Sequence, residues 1–150
     1  MSSSAHAFGQ PIDKLVGTWR LVSASSTTKT GERYDTPYGA SPVGLLTYTA
    51  DGRMTALISN GGRMPISVGG GTVEEQAEAF KTFFAYAGRY TLSPDKVIHY
   101  VEISSIQSYV GKELIRSVTF RADQIILLTP PTRINGRVQT VELIWQRLRD

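Results

Sequence analysis

Two side chains of this 150-residue chain, His99 and Arg116, have the types and setting that a reactive or ligand-holding interior would use. Alternation through residues 97–103 places His99 with Val97, Val101 and Ile103 on one face, and Ile98, Tyr100 and Glu102 on the other. The first face reads as core and Glu102 as solvent-facing. His6 falls in the N-terminal stretch, so His99 is the one histidine within the folded region. An imidazole gives or takes a proton near neutral pH. His99 is therefore either a satisfied core residue or an acid/base and ligand anchor. In the run 112–120, Leu114, Arg116, Val118 and Phe120 share the more apolar face, which points Arg116 inward. A buried guanidinium is costly without a partner, so either an acidic side chain or a ligand oxygen answers it. If the two strands are neighbours, both residues converge on one oxygenated substrate. His99 would then move protons, and Arg116 would stabilise negative charge developing on an enolate or carbonyl oxygen.

Tyrosines supply the wall around such a pair, since their rings pack as core while their hydroxyls hydrogen-bond. The expected ligand-contacting residues are Tyr48, Met54, Phe84, Tyr86, Tyr90, Val101 and Val118, with Tyr100 and Tyr109 as further candidates. The orientation of Tyr48 is open. Alternation groups Leu45, Thr47 and Thr49 with Met54, Ala56 and Ile58, against Leu46, Tyr48, Thr55 and Leu57, and neither set is cleanly apolar.

The elements that position these residues are short β-branched and aromatic runs divided by turn residues, a pattern of all-β folds. Strands are expected at 15–25, 43–49, 53–59, 89–92, 96–104, 112–120, 124–129 and 137–148. Asp51-Gly52, Ser93-Pro94-Asp95 and Asn135-Gly136 mark turns, and Pro130-Pro131 ends a strand. Eight strands suffice to close a small barrel. One segment departs from this: Thr72-Val73-Glu74-Glu75 is a capping box, and Val73, Ala77, Phe80, Phe84 and Ala87 recur at helical spacing. A helix is predicted over 73–87, as a plug or as a lid over a ligand. The glycine-rich stretch 60–71 reads as a long loop, and 34–42 as a second loop whose two tyrosines edge a pocket.

Composition bounds the rest. The length fits one domain, divided as a flexible leader over 1–12 and a barrel over 13–150. Residues 1–10 lack the cationic start and apolar run of a secretory signal. No apolar stretch is long enough to span a membrane. Sixteen basic against thirteen acidic residues give a net charge of +3, too little and too scattered for a nucleic-acid surface. There are no cysteines, which removes disulfides and thiolate chemistry and fits a cytoplasmic setting. One domain histidine without clustered carboxylates disfavours zinc or iron. No phosphate-binding, dinucleotide or serine-hydrolase fingerprint occurs. No cofactor and no metal are expected, and a homodimer is left open.

Gly17-Thr18-Trp19 near the first strand and Leu143-Ile144-Trp145-Gln146-Arg147 on the last resemble the lipocalin-like, or calycin, barrels. There the tryptophan plugs the closed end and the arginine covers its ring; Trp19, Trp145 and Arg147 are accordingly assigned to structure. The runs 38–54, 84–90, 97–102 and 128–131 are similar to a small lipocalin-like domain family of bacteria and fungi. The resemblance covers 15–148. It implies an eight-stranded antiparallel barrel with a hydrophobic cup, and an association with natural-product metabolism. Two functions follow as expectations. The first is a cofactor-free cyclase, isomerase or dehydratase acting on an apolar, oxygenated small molecule held in the barrel. The alternative is a carrier or sensor of the same ligand class. A filled barrel with a purely structural role would have no cavity.

Overall fold

The computed structural model describes residues 11–34, 38–134 and 136–149. The chain runs α1 (Pro11–Leu15), β1 (Gly17–Thr28), β2 (Arg33–Tyr34), β3 (Val43–Tyr48), β4 (Arg53–Ser59), α2 (Val73–Lys81), β5 (Phe83–Leu92), β6 (Lys96–Ser104), β7 (Glu113–Arg121), β8 (Gln124–Leu128), β9 (Thr132–Ile134) and β10 (Arg137–Arg147). A 3-10 turn, Gln107–Tyr109, lies between β6 and β7. All pairings are antiparallel. The order β1-β3-β4-β5-β6-β7-β8-β10 closes on itself through β1–β10, which gives the eight-stranded antiparallel barrel. The short strands β2 and β9 are additions at its margin, pairing with β1 and β10.

Closure at one end is built by the first and last strands. Trp19 is 1% exposed and donates from Nε1 to the Leu15 carbonyl at 2.9 Å. The Arg147 guanidinium lies 4.2 Å from the Trp19 ring centroid. It also donates to the carbonyls of Val16, at 2.8 Å, and Lys14. This links α1, β1 and β10 through one cation–π contact and two charge-assisted hydrogen bonds. Gly17 is required here: a Cβ would sit 2.7 Å from the Arg147 guanidinium, and its φ of +133° disfavours any side chain. The leader expected over 1–12 lies outside the described residues as far as residue 10. Residues 11 and 12 belong to α1, and Ile12 packs against the core.

Alternation orients most of the wall. Leu46 and Tyr48 of β3, Met54, Ala56 and Ile58 of β4, and Val97, His99 and Val101 of β6 are all buried. The β3–β4 ladder pairs Tyr48 with Met54 and Leu46 with Ala56, and directly opposed residues share a face. The sets Leu45/Met54 and Leu46/Thr55 suggested by alternation are thus corrected. Tyr48 joins Met54 and Ala56 inside, while Leu45 and Leu57 are exposed. Gly52, with φ of +92°, turns this hairpin.

Two bulges change parity elsewhere. In β1 the register slips between Leu21 and Ser23, so Val22 is 52% exposed and the inward set moves from Trp19 and Leu21 to Ser26. In β5–β6, Gly88 pairs with Val101 but Ala87 with Ile103, which leaves Glu102 as the extra residue. Ile103 therefore points outward, 67% exposed, rather than joining His99 and Val101. Glu102 faces solvent as expected and pairs with Arg53 (2.7 Å) and Arg89 (3.1 Å).

The helix ends earlier than its spacing predicts. The capping box forms as read, with Thr72 accepting from the Glu75 amide and Glu75 reaching back. Helix α2 stops at Lys81, and residues 83–87 are strand, paired with Ser59 back to Thr55 of β4. Phe83, Phe84 and Tyr86 favour a strand, where the ladder satisfies their backbone. The apparent helical recurrence of Phe84 and Ala87 is strand alternation following on a real helix. No α2 residue is buried; Val73 is 77% and Phe80 57% exposed. The Arg63 side chain ties the preceding loop to the helix end, donating to the Ala79 carbonyl and the Thr82 hydroxyl, each at 3.0 Å.

Candidate ligand-binding site

Strands β1 and β10 bring Trp19 and Arg147 to the closed end. The alternating strand direction then puts residues 38–42, 60–72, 105–112 and 129–131, together with α2 and β9, at the other end. That open end holds a cavity of about 320 Å³ lined by Tyr38, Ile58, Asn60, Phe80, Lys81, Thr82, Phe83, Phe84, Ile106 and Tyr109. Its aromatic surface is organised: the Phe84 ring lies 5.2 Å from Tyr109 and 5.3 Å from Tyr86, centroid to centroid.

Below it lies a second, much smaller cavity of about 20 Å³, room for one water-sized group. Tyr38, Ile58 and Phe84 wall both spaces. Leu46, Ala56, Tyr86, His99, Arg116, Leu127, Leu143 and Trp145 complete the inner wall. Of the residues expected from sequence, the structure brings His99, Arg116, Phe84 and Tyr86 to this inner space. Tyr48, Met54, Tyr90, Val101 and Val118 are buried in the core but line neither cavity. Packed side chains fill the lower barrel, which at eight strands is barely wider than they are.

His99 is 1% exposed, and both ring nitrogens are engaged. The Tyr48 hydroxyl lies 2.7 Å from Nε2 and the Tyr86 hydroxyl 2.8 Å from Nδ1. Burial, reinforced by the Arg116 charge, lowers the His99 pKa to about 3. The imidazole is therefore neutral at pH 7. It donates to one tyrosine oxygen and accepts the other tyrosine's proton. Burial holds Tyr48 well above its ordinary value and Tyr86 up to about 12, although the Arg116 cation pulls both downward. Tyr38 shows the same balance, raised by burial and lowered by Arg116. Three inward phenols thus remain protonated beside a cation. Desolvation outweighs the guanidinium's field.

Arg116 points into the barrel as its strand face implies. No carboxylate among the described residues forms an ion pair with it, and its Nη1 donates to the Ile115 carbonyl at 3.0 Å. Trp145, assigned to structure by the sequence, is 1% exposed. Its Nε1 is a buried donor with no hydrogen-bond acceptor. An unsatisfied buried N–H costs about 1–3 kcal/mol. Sequence gave no sign of this, because the partner of Trp19 is set by α1 and Trp145 has no counterpart. Tyr109 of the mouth was among the expected pocket tyrosines, whereas Tyr38, Phe80 and Phe83 were anticipated only as pocket-edge or helix residues. Among the described residues, no three His, Asp or Glu side chains group as a metal site would need.

A closed eight-stranded barrel with a tryptophan plug beneath an arginine, and an aromatic cup at its open end, defines a lipocalin-like protein. The chain belongs to the lipocalin-like domain family, which it matches over residues 16–148. A relative is the 4'-hydroxy-3'-methoxypropiophenone carrier protein of Aspergillus oryzae, 37% identical over 87 residues, covering 52% of this chain and 78% of that protein. Similar solved structures include a lipocalin-like protein from Bacteroides uniformis (12% identical, TM-score 0.46, 90% of this chain and 99% of that one). Another is an uncharacterized protein from Bacteroides eggerthii (12% identical, TM-score 0.46, 89% and 99%). No helix among the described residues is long and apolar enough to cross a membrane.

Proposed function

We propose that this protein is a non-catalytic carrier of small aromatic ketones, which it holds at the open end of its barrel. The observation that carries this reading is the 320 Å³ mouth cavity with its wall of Phe80, Phe83, Phe84, Tyr109 and Tyr38. Its size falls at the lower end of small-molecule pockets, and aromatic lining with few polar groups is typical of them. The carrier relative takes an aryl ketone by name, and such a molecule suits a cup walled by aromatic side chains.

The catalytic alternative assigns proton transfer to His99 and charge stabilisation to Arg116. A general base near neutral pH needs a pKa close to that pH and a ring nitrogen within reach of the substrate. Both nitrogens of His99 are held by tyrosine hydroxyls, and its basicity is depressed to about 3. These facts favour binding over turnover, and they give His99 the role of orienting Tyr48 and Tyr86.

The test is a titration with 4'-hydroxy-3'-methoxypropiophenone, followed by tyrosine and tryptophan fluorescence and native mass spectrometry. The expected outcome is a saturable 1:1 complex from which the ligand is recovered unchanged. Phe80→Asp should weaken it without altering the melting temperature, since Phe80 is exposed yet lines the cup. Absence of saturable binding would remove the carrier reading. Recovery of an altered compound, lost in His99→Gln, would replace it with the enzyme.

A further inference from the structure

The wall of the inner cavity includes a residue with a buried donor that nothing among the described residues accepts. The indole N–H of Trp145 has no acceptor. Trp19 in the same barrel does have one, the Leu15 carbonyl at 2.9 Å. Arg116 donates from Nη1 to the Ile115 carbonyl and has the Tyr86 phenol as a second partner, and a guanidinium carries five N–H donors in all. Trp145 and Arg116 both line the inner space, which admits one water-sized group. Tyr38, Ile58 and Phe84 belong to the walls of both this space and the mouth cavity, so the two adjoin.

We infer that Trp145 is a ligand-anchoring residue: its indole N–H, together with the Arg116 guanidinium, captures the carbonyl oxygen of a neutral ketone whose ring sits in the mouth. This rests on the carrier reading above and deepens it by naming the group recognised and the residues that recognise it. A single oxygen matches the inner space, whereas a ring does not. Neutral oxygen is favoured over anionic because the phenols around Arg116 remain protonated despite its charge. An anion entering the same space meets the same desolvation.

The experiment uses the full chain and three probes of similar shape: propiophenone, propylbenzene and 3-phenylpropanoate. Affinities are measured by calorimetry for the native protein and for Trp145→Phe, which keeps an apolar ring and removes the N–H. The native protein should bind propiophenone roughly tenfold more tightly than propylbenzene, the size of one net hydrogen bond. Trp145→Phe should lower ketone affinity by roughly five- to twentyfold and leave propylbenzene within about twofold. In ¹⁵N-labelled native protein, the ketone should move the Trp145 indole resonance downfield while that of Trp19 stays in place, a readout that survives if the variant fails to fold.

Three results would overturn the inference and leave the carrier standing. The first is equal loss for ketone and hydrocarbon in Trp145→Phe, which would make Trp145 a packing residue. The second is an unmoved Trp145 resonance in a saturated complex. The third is preference for the carboxylate, which would make Arg116 an anion selector. Failure of all three probes to bind would sink both readings together.

Discussion

The neutral state of His99 makes a quantitative demand on how this barrel responds to acid. An imidazole has an ordinary pKa near 6.5 when the chain is unfolded, and about 3 in the fold, where burial and then the Arg116 charge disfavour the cation. The folded value is depressed, so the unfolded chain binds the proton first. The stability contributed is complete above about pH 6.5 and is lost as pH falls toward 3. The loss approaches about 1.4 kcal/mol per pH unit within that window. Between pH 7 and pH 4.5 it amounts to about 2.5 kcal/mol, a large fraction of the 5–15 kcal/mol that small domains typically have. His99→Gln is the control. Glutamine offers one donor and one acceptor for the Tyr48 and Tyr86 hydroxyls and does not titrate. Urea unfolding of both proteins at pH 7 and pH 4.5 gives the comparison. Carboxylate titration enters both proteins alike, so the native protein should lose about 2.5 kcal/mol more than the variant across that interval. Equal losses would refute the reasoning, because they would mean that the folded imidazole accepts a proton between its two tyrosines.

Two further outcomes follow from backbone geometry and from the closed end. Gly88→Ala should fail to accumulate as folded protein, or lose more than about 3 kcal/mol in chemical denaturation, because a Cβ there would lie 1.8 Å from the Tyr100 carbonyl oxygen at the β5–β6 bulge. Arg147→Met should lower stability by about 2–3 kcal/mol through loss of the Trp19 stacking and of the two hydrogen bonds to Val16 and Lys14. It should also increase quenching of Trp19 fluorescence by acrylamide, while ketone affinity at the far end stays unchanged.

Local pattern carried much of this protein. Alternation and turn residues are properties of a few neighbouring positions, and they were enough to place the eight barrel strands in order, though not all their ends. They also set His99 and Arg116 inside and Glu102 outside. Gly17, Trp19 and Arg147 pointed to the closed end through the family resemblance, and the structure supplies the physical reason in a steric requirement at Gly17 and a cation–π pair. The capping box at Thr72 and Glu75 likewise lies within four positions and was legible.

What the sequence left open depended on which strand lies beside which, and in what register. Tyr48 could be oriented only once it was opposed to Met54, and Ile103 turned outward only because the bulge at Glu102 shifts parity. Phe83 to Ala87 joined the sheet because β4 and β6 present hydrogen-bonding partners there, which a helical spacing read in isolation does not contain. The clasp of Tyr48 and Tyr86 on His99 spans strands β3, β5 and β6. The orphaned N–H of Trp145 is a shortage, and it becomes visible only when every other buried donor has been matched to its acceptor in space. Barrel closure brings these groups together at distances the chain does not encode locally. For that reason the residue type at each position was readable from sequence, and the partner it would meet was decided by the fold.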